Sequence, residues 1–243
     1  MMPVTTPPFT RLATLMVGPQ DAFVREIRTP RAAAVAGIVF AVLLATSVLL
    51  MRSATPRDGD PTVWLTQDSR RHAVAVALNL IPYAGIAFLW FIGVIRSRLG
   101  DREDKLFATA FLGSGLLFVA MLFTAAAITG GVLALYDGTR PVSAEDARLT
   151  SAIVGALVAT FGIRMAAVFT LVVTNLGRRT GIVPRWLVVV GYATAAVLLF
   201  APPRTTWATL LFPAWVFLLS INILVLSLRT RPDSSADGRA ASD

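Results

Sequence analysis

Residues 149–174 read LTSAIVGALVATFGIRMAAVFTLVVT, an apolar run that contains a single charged residue, Arg164. About 20 consecutive apolar residues are enough for a helix to cross a hydrocarbon core of about 30 Å. A guanidinium stays charged inside a protein, and a charged side chain is costly near the centre of a bilayer. The run therefore predicts a transmembrane helix with one buried cation that needs a partner.

The rest of the chain has the same character. Hydrophobic residues make up 56% of the 243 residues and charged residues only 15%, and the mean hydropathy is +0.70. This composition is outside the range of soluble globular domains. Six segments are long and apolar enough to span a membrane: Ala32–Met51, Ala73–Ile95, Leu106–Thr129, Leu149–Thr174, Pro184–Ala201 and Trp207–Leu228.

We therefore predict an all-α, single-domain, polytopic membrane protein built as a bundle of six transmembrane helices. Residues 32–228 form the bundle, residues 1–31 a cytoplasmic arm and residues 229–243 a polar, disordered cytoplasmic tail. Gly130 and Gly131 are expected to break or bend the third helix.

Basic residues predict the orientation. Fourteen arginines and lysines fall in the N-terminal arm, the loops after the second and fourth segments, and the C-terminal tail, whereas seven fall on the opposite side. The positive-inside rule then places both termini in the cytoplasm. Lys105 is the only lysine, a bias typical of high-GC bacterial genomes, so the bacterial inner membrane is the expected location.

Several function classes are excluded by what the chain lacks. It has no cysteine and one histidine, His72, so thiol chemistry, a bis-histidine haem and a conventional zinc centre are ruled out. No cofactor, metal site or catalytic residue is predicted. The serine of Gly113-Ser114-Gly115 would need a histidine base, and His72 is about 20 Å away in depth by helical rise.

Charge also bears on partners. The net charge of +8 comes from residues that flank apolar runs, which favours topology signals and lipid headgroup contacts over nucleic acid. All fourteen aspartates and glutamates fall in predicted loops or termini. Ion-coupled carriers usually place a carboxylate within the membrane, so the sequence argues against that class and leaves a facilitator open.

Arg164 is the centre of the predicted site. Polar residues of other segments fall at similar depth, and they define one candidate ligand-binding layer: Arg164, Tyr83, Asn79, Ser114, Tyr192 and Asn222. Asn79 is included because nearby Pro82 removes a helical hydrogen bond. Two structural alternatives stay open: Arg164 can be satisfied by carbonyls, hydroxyls and water, and the serine and asparagines can mediate helix packing.

The fourth segment also carries small residues on one stripe: Ser151, Gly155, Ala159, Gly162, Ala166, Thr170 and Thr174. Such a stripe lets a neighbouring backbone approach closely. Internal helix packing is the favoured interpretation, and homo-oligomerisation is the alternative. Arg164 lies about 200° around the helix from Gly162 and faces away from the stripe.

Two stretches resemble known sequences. Residues 79–90, NLIPYAGIAFLW, together with the following chain to Met121, and residues 183–187, VPRWL, are similar to runs in uncharacterised six-helix membrane proteins of high-GC bacteria. The resemblance covers about a third of the chain. It implies the six-helix fold and carries no activity or functional residues.

Two functional hypotheses follow. The first is binding or transport of a small or amphipathic anionic ligand, either a small molecule or a lipid, by Arg164, because the planar guanidinium can meet a carboxylate or phosphate with two hydrogen bonds. The second is a membrane scaffold or partner subunit in which Arg164 pairs with an acidic residue of another membrane protein. Enzymatic lipid chemistry ranks third. The lipid bilayer is a partner in every case.

Overall fold

The computed structural model describes residues 30–55, 62–99, 105–136, 142–181, 183–202 and 207–229, and all regular secondary structure within them is helical. The predicted N-terminal arm, apart from residues 30 and 31, and the predicted tail, apart from Arg229, lie outside the described residues. The helices are α1 (Pro30–Ala54), α2 (Val63–Thr66), α3 (Asp68–Leu99), α4 (Lys105–Leu135), α5 (Ala144–Gly155), α6 (Ile163–Thr180), α7 (Arg185–Phe200) and α8 (Ala208–Arg229).

The chain between α5 and α6 is a π-helical segment, Ala156–Gly162. Together α5, this segment and α6 form one continuous helix, Ala144–Thr180, which we call the long helix. It begins at Ser143, whose side chain accepts a hydrogen bond from the backbone N–H of Asp146 at 3.0 Å, as an N-cap residue does. It ends at Gly181, whose φ of 68° is the left-handed conformation that glycine adopts readily.

Five helices are long and apolar enough to cross a membrane: α1, α3, α4, the long helix and α8. The prediction of an all-α membrane bundle is confirmed at that level, with five candidate spans. The predicted fifth segment forms α7, which has 16 residues and a length of about 24 Å. It is shorter than a typical hydrocarbon core.

Gly130 and Gly131 were predicted to break or bend the third helix, and the break does not occur. Helix α4 continues through both glycines to Leu135. The reason is tertiary packing, because Val132 and Leu133 contact a small apolar cluster that includes Trp64 and Leu65. This packing outweighs the cost of a glycine in a helix, about 1 kcal/mol each.

Six helices pack as a closed ring in the order α1, α3, α4, α6, α7, α8 and back to α1. Phenylalanines from five of them fill the centre. Phe88 of α3 stacks within 4.5 Å of Phe40 of α1 and within 5.0 Å of Phe169 of α6, measured between ring centroids. Phe212 of α8 lies 4.9 Å from Phe118 of α4. These rings tie the helices together at one level of the bundle.

Each end of the bundle holds an arginine, after which we name it. Arg52 near the end of α1, the start of α3 and the start of the long helix lie together, and we call this the Arg52 end. The opposite end holds Arg31, whose Nη2 atom donates a hydrogen bond to the carbonyl of Ser227 near the end of α8 at 3.5 Å. We call it the Arg31 end.

Candidate ligand-binding cleft

Arg164 lies in the first turn of α6 and is half-buried. Its Nη1 atom donates a hydrogen bond to the carbonyl oxygen of Thr160 at 2.6 Å. Helical side chains lean toward the N-terminus of their helix, so the guanidinium reaches back over the π-helical segment. The cation is therefore held, at least through one nitrogen, by the main chain of its own helix.

The π-helical segment itself was not predicted. At its end the N–H of Ile163 bonds to the carbonyl of Val158, five residues back. Gly162 fits this wide turn, because a Cβ there would come within 3.0 Å of the carbonyl oxygen of Leu157. Single π turns are rare and occur frequently at functional sites, and here the turn supplies the carbonyl that Arg164 binds.

Two of the predicted site residues on α3 face outward. Tyr83 is 64% exposed, and Asn79 is also exposed. The side-chain amide of Asn79 donates to the carbonyl of Ala75 in its own helix at 2.9 Å. The sequence predicted a depth for these residues, which stays a prediction, and gave no direction around the helix.

The other three predicted residues are turned inward to different degrees. Ser114 is buried and donates to the carbonyls of Ala110 and Phe111 in its own helix. The hydroxyl of Tyr192 donates to Oδ1 of Asn175 at 3.4 Å. Asn222 is half-buried, and its Oδ1 atom is buried without a hydrogen-bond partner.

The six predicted residues are thus not gathered around one cavity. None of them lines either of the two best-defined cavities within the described part of the chain. The expectation of one shared polar layer is not met, because Tyr83 points away from the bundle. A ligand-binding role for any single one of the six stays a prediction.

A cleft of about 310 Å³ lies on the Arg52 side of the phenylalanine core, between α1, α3, α4, α8 and the long helix. Its volume is at the lower end of the range for small-molecule sites. Most of its lining is aliphatic. The residues that line it are Leu44, Ser47, Val48, Met51, Arg52, Thr55, Leu78, Ile81, Leu122, Ala125, Ala126, Thr129, Val154, Gly155, Val158, Ala159 and Thr209.

The cleft exists because the long helix packs differently along its length. Its α6 part contacts α4, α7 and α8, whereas α5 and the π-helical segment pack mainly against α4. The space between these outer turns and α1 is left unfilled. Val154, Gly155, Val158 and Ala159 form the wall on this side.

Two other walls have interrupted helical hydrogen bonding. Pro82 of α3 and Pro213 of α8 have no N–H, so neither can make the backbone bond that an ordinary residue would make four residues back. The carbonyls concerned belong to Leu78 and Thr209, and both residues line the cleft. Three of the five helices around the cleft therefore depart from regular α-helix beside it.

Arg52 is the only charged residue among the described residues that line the cleft. Its Nη2 atom is buried. Because helical side chains lean toward the N-terminus, Arg52 near the end of α1 leans into the cleft. Two hydroxyls of the lining donate to main-chain carbonyls: Ser47 to Ala77 at 3.0 Å and Thr129 to Ala125 at 2.9 Å.

The second cavity is a shallower depression at the surface of the Arg52 end, lined by Asp68, Arg71, His72, Ala75, Leu133 and Tyr136. Its arginine is already engaged. Arg71 forms an ion pair with Asp68, donates to the carbonyl of Leu65 at 3.1 Å and lies over the ring of Tyr136. In this cavity the cation is paired with a carboxylate of the same lining.

Among the described residues, two buried hydroxyls have no hydrogen-bond partner, Thr174 and Ser220. Each lies against a glycine of a neighbouring helix, since a Cβ on Gly191 would collide with the Thr174 hydroxyl and a Cβ on Gly37 with the Ser220 hydroxyl. Weak contacts between Cα–H groups and oxygen are common at such close helix crossings. These hydroxyls mark tight packing and leave no room for a ligand.

Arg52 was missed as a site residue because it sits at the end of the first apolar segment, where an arginine is read as a topology signal. A usable signal was present. Ser47, Met51 and Thr55 recur at intervals of four, and Arg52 is three residues before Thr55, which puts all four polar or flexible side chains on one side of α1.

Comparison with protein-family models, curated proteins and solved structures found no match to this chain. Within the described residues, no group of three or more histidine, aspartate or glutamate side chains could hold a metal ion. The candidate site therefore rests on its own geometry.

Proposed function

We propose that this chain is a six-span protein of a bacterial inner membrane that binds or transports an amphipathic anionic ligand. The observation that carries the ligand proposal is the apolar cleft, in which Arg52 is the one charged residue among the described residues of the lining. Arginine binds carboxylates and phosphates through two parallel hydrogen bonds, and an aliphatic lining strengthens that interaction by lowering the local dielectric constant.

The sixth crossing is proposed for α7. The long helix ends at the Arg31 end. Helix α8 begins at the Arg52 end, where Thr209 in its first turn lines the cleft. Helix α7 joins them and packs along both neighbours, with the Tyr192 hydroxyl against Asn175 and the backbone of Gly191 against Thr174 and Trp215. An even number of crossings puts both termini on one side, and the arginine distribution makes that side cytoplasmic.

One observation favours Arg52 over Arg164 as the ligand-binding cation: Arg52 lines the cleft, and Arg164 does not. Arg164 donates a hydrogen bond to the carbonyl of Thr160. We propose that Arg164 supports the π-helical segment, which in turn shapes one wall of the cleft.

The direct test is native mass spectrometry of the full-length protein purified in a mild detergent. We expect an anionic amphiphile to co-purify with the wild type and to be lost in Arg52→Gln. Arg148→Gln is the matched control, because Arg148 is an exposed arginine at the same end of the bundle. This control should keep the bound species.

The outcomes separate the two arginines. Loss of the species in Arg164→Gln but not in Arg52→Gln would move the site to Arg164. Equal retention in the wild type and all three variants would contradict an arginine-dependent site. Binding of the same species by an unrelated membrane protein purified in parallel would show that it is a detergent contaminant.

A second candidate function is a scaffold or partner subunit. One observation favours it: α5 buries only Ala147 and exposes Leu149 and Ile153. A partner helix could pack there and offer an acidic residue to the half-buried Arg164. Photo-crosslinking from position 153 in native membranes would detect such a partner, and labelling of lipid alone would contradict this candidate.

A further inference from the structure

The shape of the cleft carries information about its ligand beyond the sign of its charge. On α1 the lining residues run from Leu44 to Thr55 along one face. At a rise of 1.5 Å per residue this face is about 16 Å long. The cleft is therefore an elongated groove parallel to the helix axes and not a compact chamber.

The groove is also polarised along its length. Its deep end, toward the middle of the bundle, is lined by Leu44, Ile81 and Leu122, whereas Arg52 and Thr55 lie at the Arg52 end. An extended molecule with an apolar chain and one charged end matches this order. A uniformly polar metabolite would place polar atoms against aliphatic side chains, which is costly.

The volume of the groove limits the length of the ligand's apolar chain. A space of about 310 Å³ is about twice the ~150 Å³ of an apolar cavity that binds one benzene molecule, which has six carbon atoms. The groove therefore matches a ligand of about twelve carbon atoms. The groove has room for one chain of about this length, and a lipid with two chains does not fit inside it.

We infer that the ligand is a single-chain amphiphile with a carboxylate or phosphate headgroup, held with its headgroup at Arg52 and its chain toward Leu44. This inference rests on the proposed function and narrows its substrate class. Lipid tails are as apolar as the lining, so moving the chain from bilayer to groove gains little. Selectivity therefore depends on the arginine and on the fit of one chain.

The test uses the full-length protein in phosphatidylcholine vesicles and a dodecanoate that carries a diazirine at its chain end. Illumination should label peptides around Leu44 and Leu122, at the deep end of the groove. Unlabelled dodecanoate and dodecyl phosphate should compete at least tenfold better than butanoate, which has the headgroup without the chain. Dodecylphosphocholine, with no net charge, should compete at least tenfold less well than dodecanoate.

Two adjacent alanines of α4 give a matched pair of variants. Ala126 lines the groove, and Ala127 is exposed on the outside of the same helix. Ala126→Phe should abolish the labelling and Ala127→Phe should leave it unchanged. If Ala126→Phe does not fold, Ala159→Leu on the opposite wall serves the same purpose.

Each result points to one conclusion. Competition by butanoate as strong as by dodecanoate would overturn the single-chain inference and leave the proposed anion site standing. Equally strong competition by dodecylphosphocholine would contradict the anion requirement. Labelling that is spread over lipid-facing residues, or that is equal in the two alanine variants, would overturn both proposals.

Discussion

The two halves of the long helix share one stripe of small residues but differ in burial. In α6 nine of 18 residues are buried, whereas in the 12 residues of α5 only Ala147 is buried. The small-residue stripe shows the change directly, since Gly162, Ala166, Thr170 and Thr174 are buried while Ser151 and Gly155 are exposed. The same pattern therefore closes the bundle at one end and leaves a cleft at the other.

A stripe of small residues therefore allows close helix packing but does not cause it. The π-helical segment separates the two halves. Its extra residue per turn changes the side of the helix on which the following residues lie. Arg164 binds the carbonyl of Thr160 at this junction. The three predictions below test the contrast, in order of decreasing effect.

The largest expected effect comes from the aromatic residues of the two regions. Phe169 in α6 is fully buried between Phe88, Phe111 and Phe212. Its replacement by alanine should destabilise the protein by about 3–5 kcal/mol. Phe161→Ala, at an exposed position of the π-helical segment, is the control and should cost under about 1 kcal/mol. Denaturant unfolding in detergent measures both.

Equal losses in Phe169→Ala and Phe161→Ala would mean that α5 and the π-helical segment are packed as tightly as α6. That result would remove the basis for an open cleft.

Glycines give the next contrast. Gly191→Ala places a methyl group against Thr174 and within 3.0 Å of Nε1 of Trp215, and overpacking of this kind costs about 1–3 kcal/mol. Gly155→Ala meets nothing within 4 Å. It should stabilise the helix by about 0.5–1 kcal/mol. Thermal unfolding should shift in opposite directions, and a shared direction would contradict the packing described.

The smallest effect is expected at Arg164. Arg164→Met loses a hydrogen bond from a charged group, worth about 1.5–3 kcal/mol, and removes a cation whose burial in a membrane helix costs about 2.5–3.5 kcal/mol. The two terms nearly cancel, so stability should change by less than about 1.5 kcal/mol. A loss above about 3 kcal/mol in the same unfolding assay would show that Arg164 has further bonding partners and a larger structural role.

Much of the fold was readable from the sequence because it depends on composition and length. The run around Arg164, the helix that holds Tyr83 and the apolar segment of α8 were all predicted as helices, and all three are helical. Helix ends were less predictable. Gly130 and Gly131 were expected to interrupt α4, but contacts far away in sequence keep it helical.

The site was harder to predict, for a geometric reason. Position along a helix gives depth, but the direction of a side chain depends on which neighbours surround the helix. Tyr83 and Arg164 fall at similar predicted depths, yet Tyr83 points outward. The π-helical segment added a second obstacle, because it shifts the phase of every residue after it.

Arg52 shows the opposite case. Its residue type and spacing were visible in the sequence. Because it lies at the end of a predicted span, it was interpreted as a signal for the orientation of the helix in the membrane. Only the gap between α1 and the α5 and π-helical parts of the long helix reveals that Arg52 lines a cleft. That gap depends on the packing of five helices and could not be read from any one segment.

Hydrogen–deuterium exchange in phosphatidylcholine nanodiscs tests the central claim most directly, with peptides covering residues 154–160 and 166–174 compared in one experiment. Open packing around the cleft predicts faster exchange in residues 154–160, and added dodecanoate should slow exchange there in the wild type but not in Arg52→Gln. Equally slow exchange in both stretches, unchanged by dodecanoate, would contradict the existence of an open, arginine-dependent cleft.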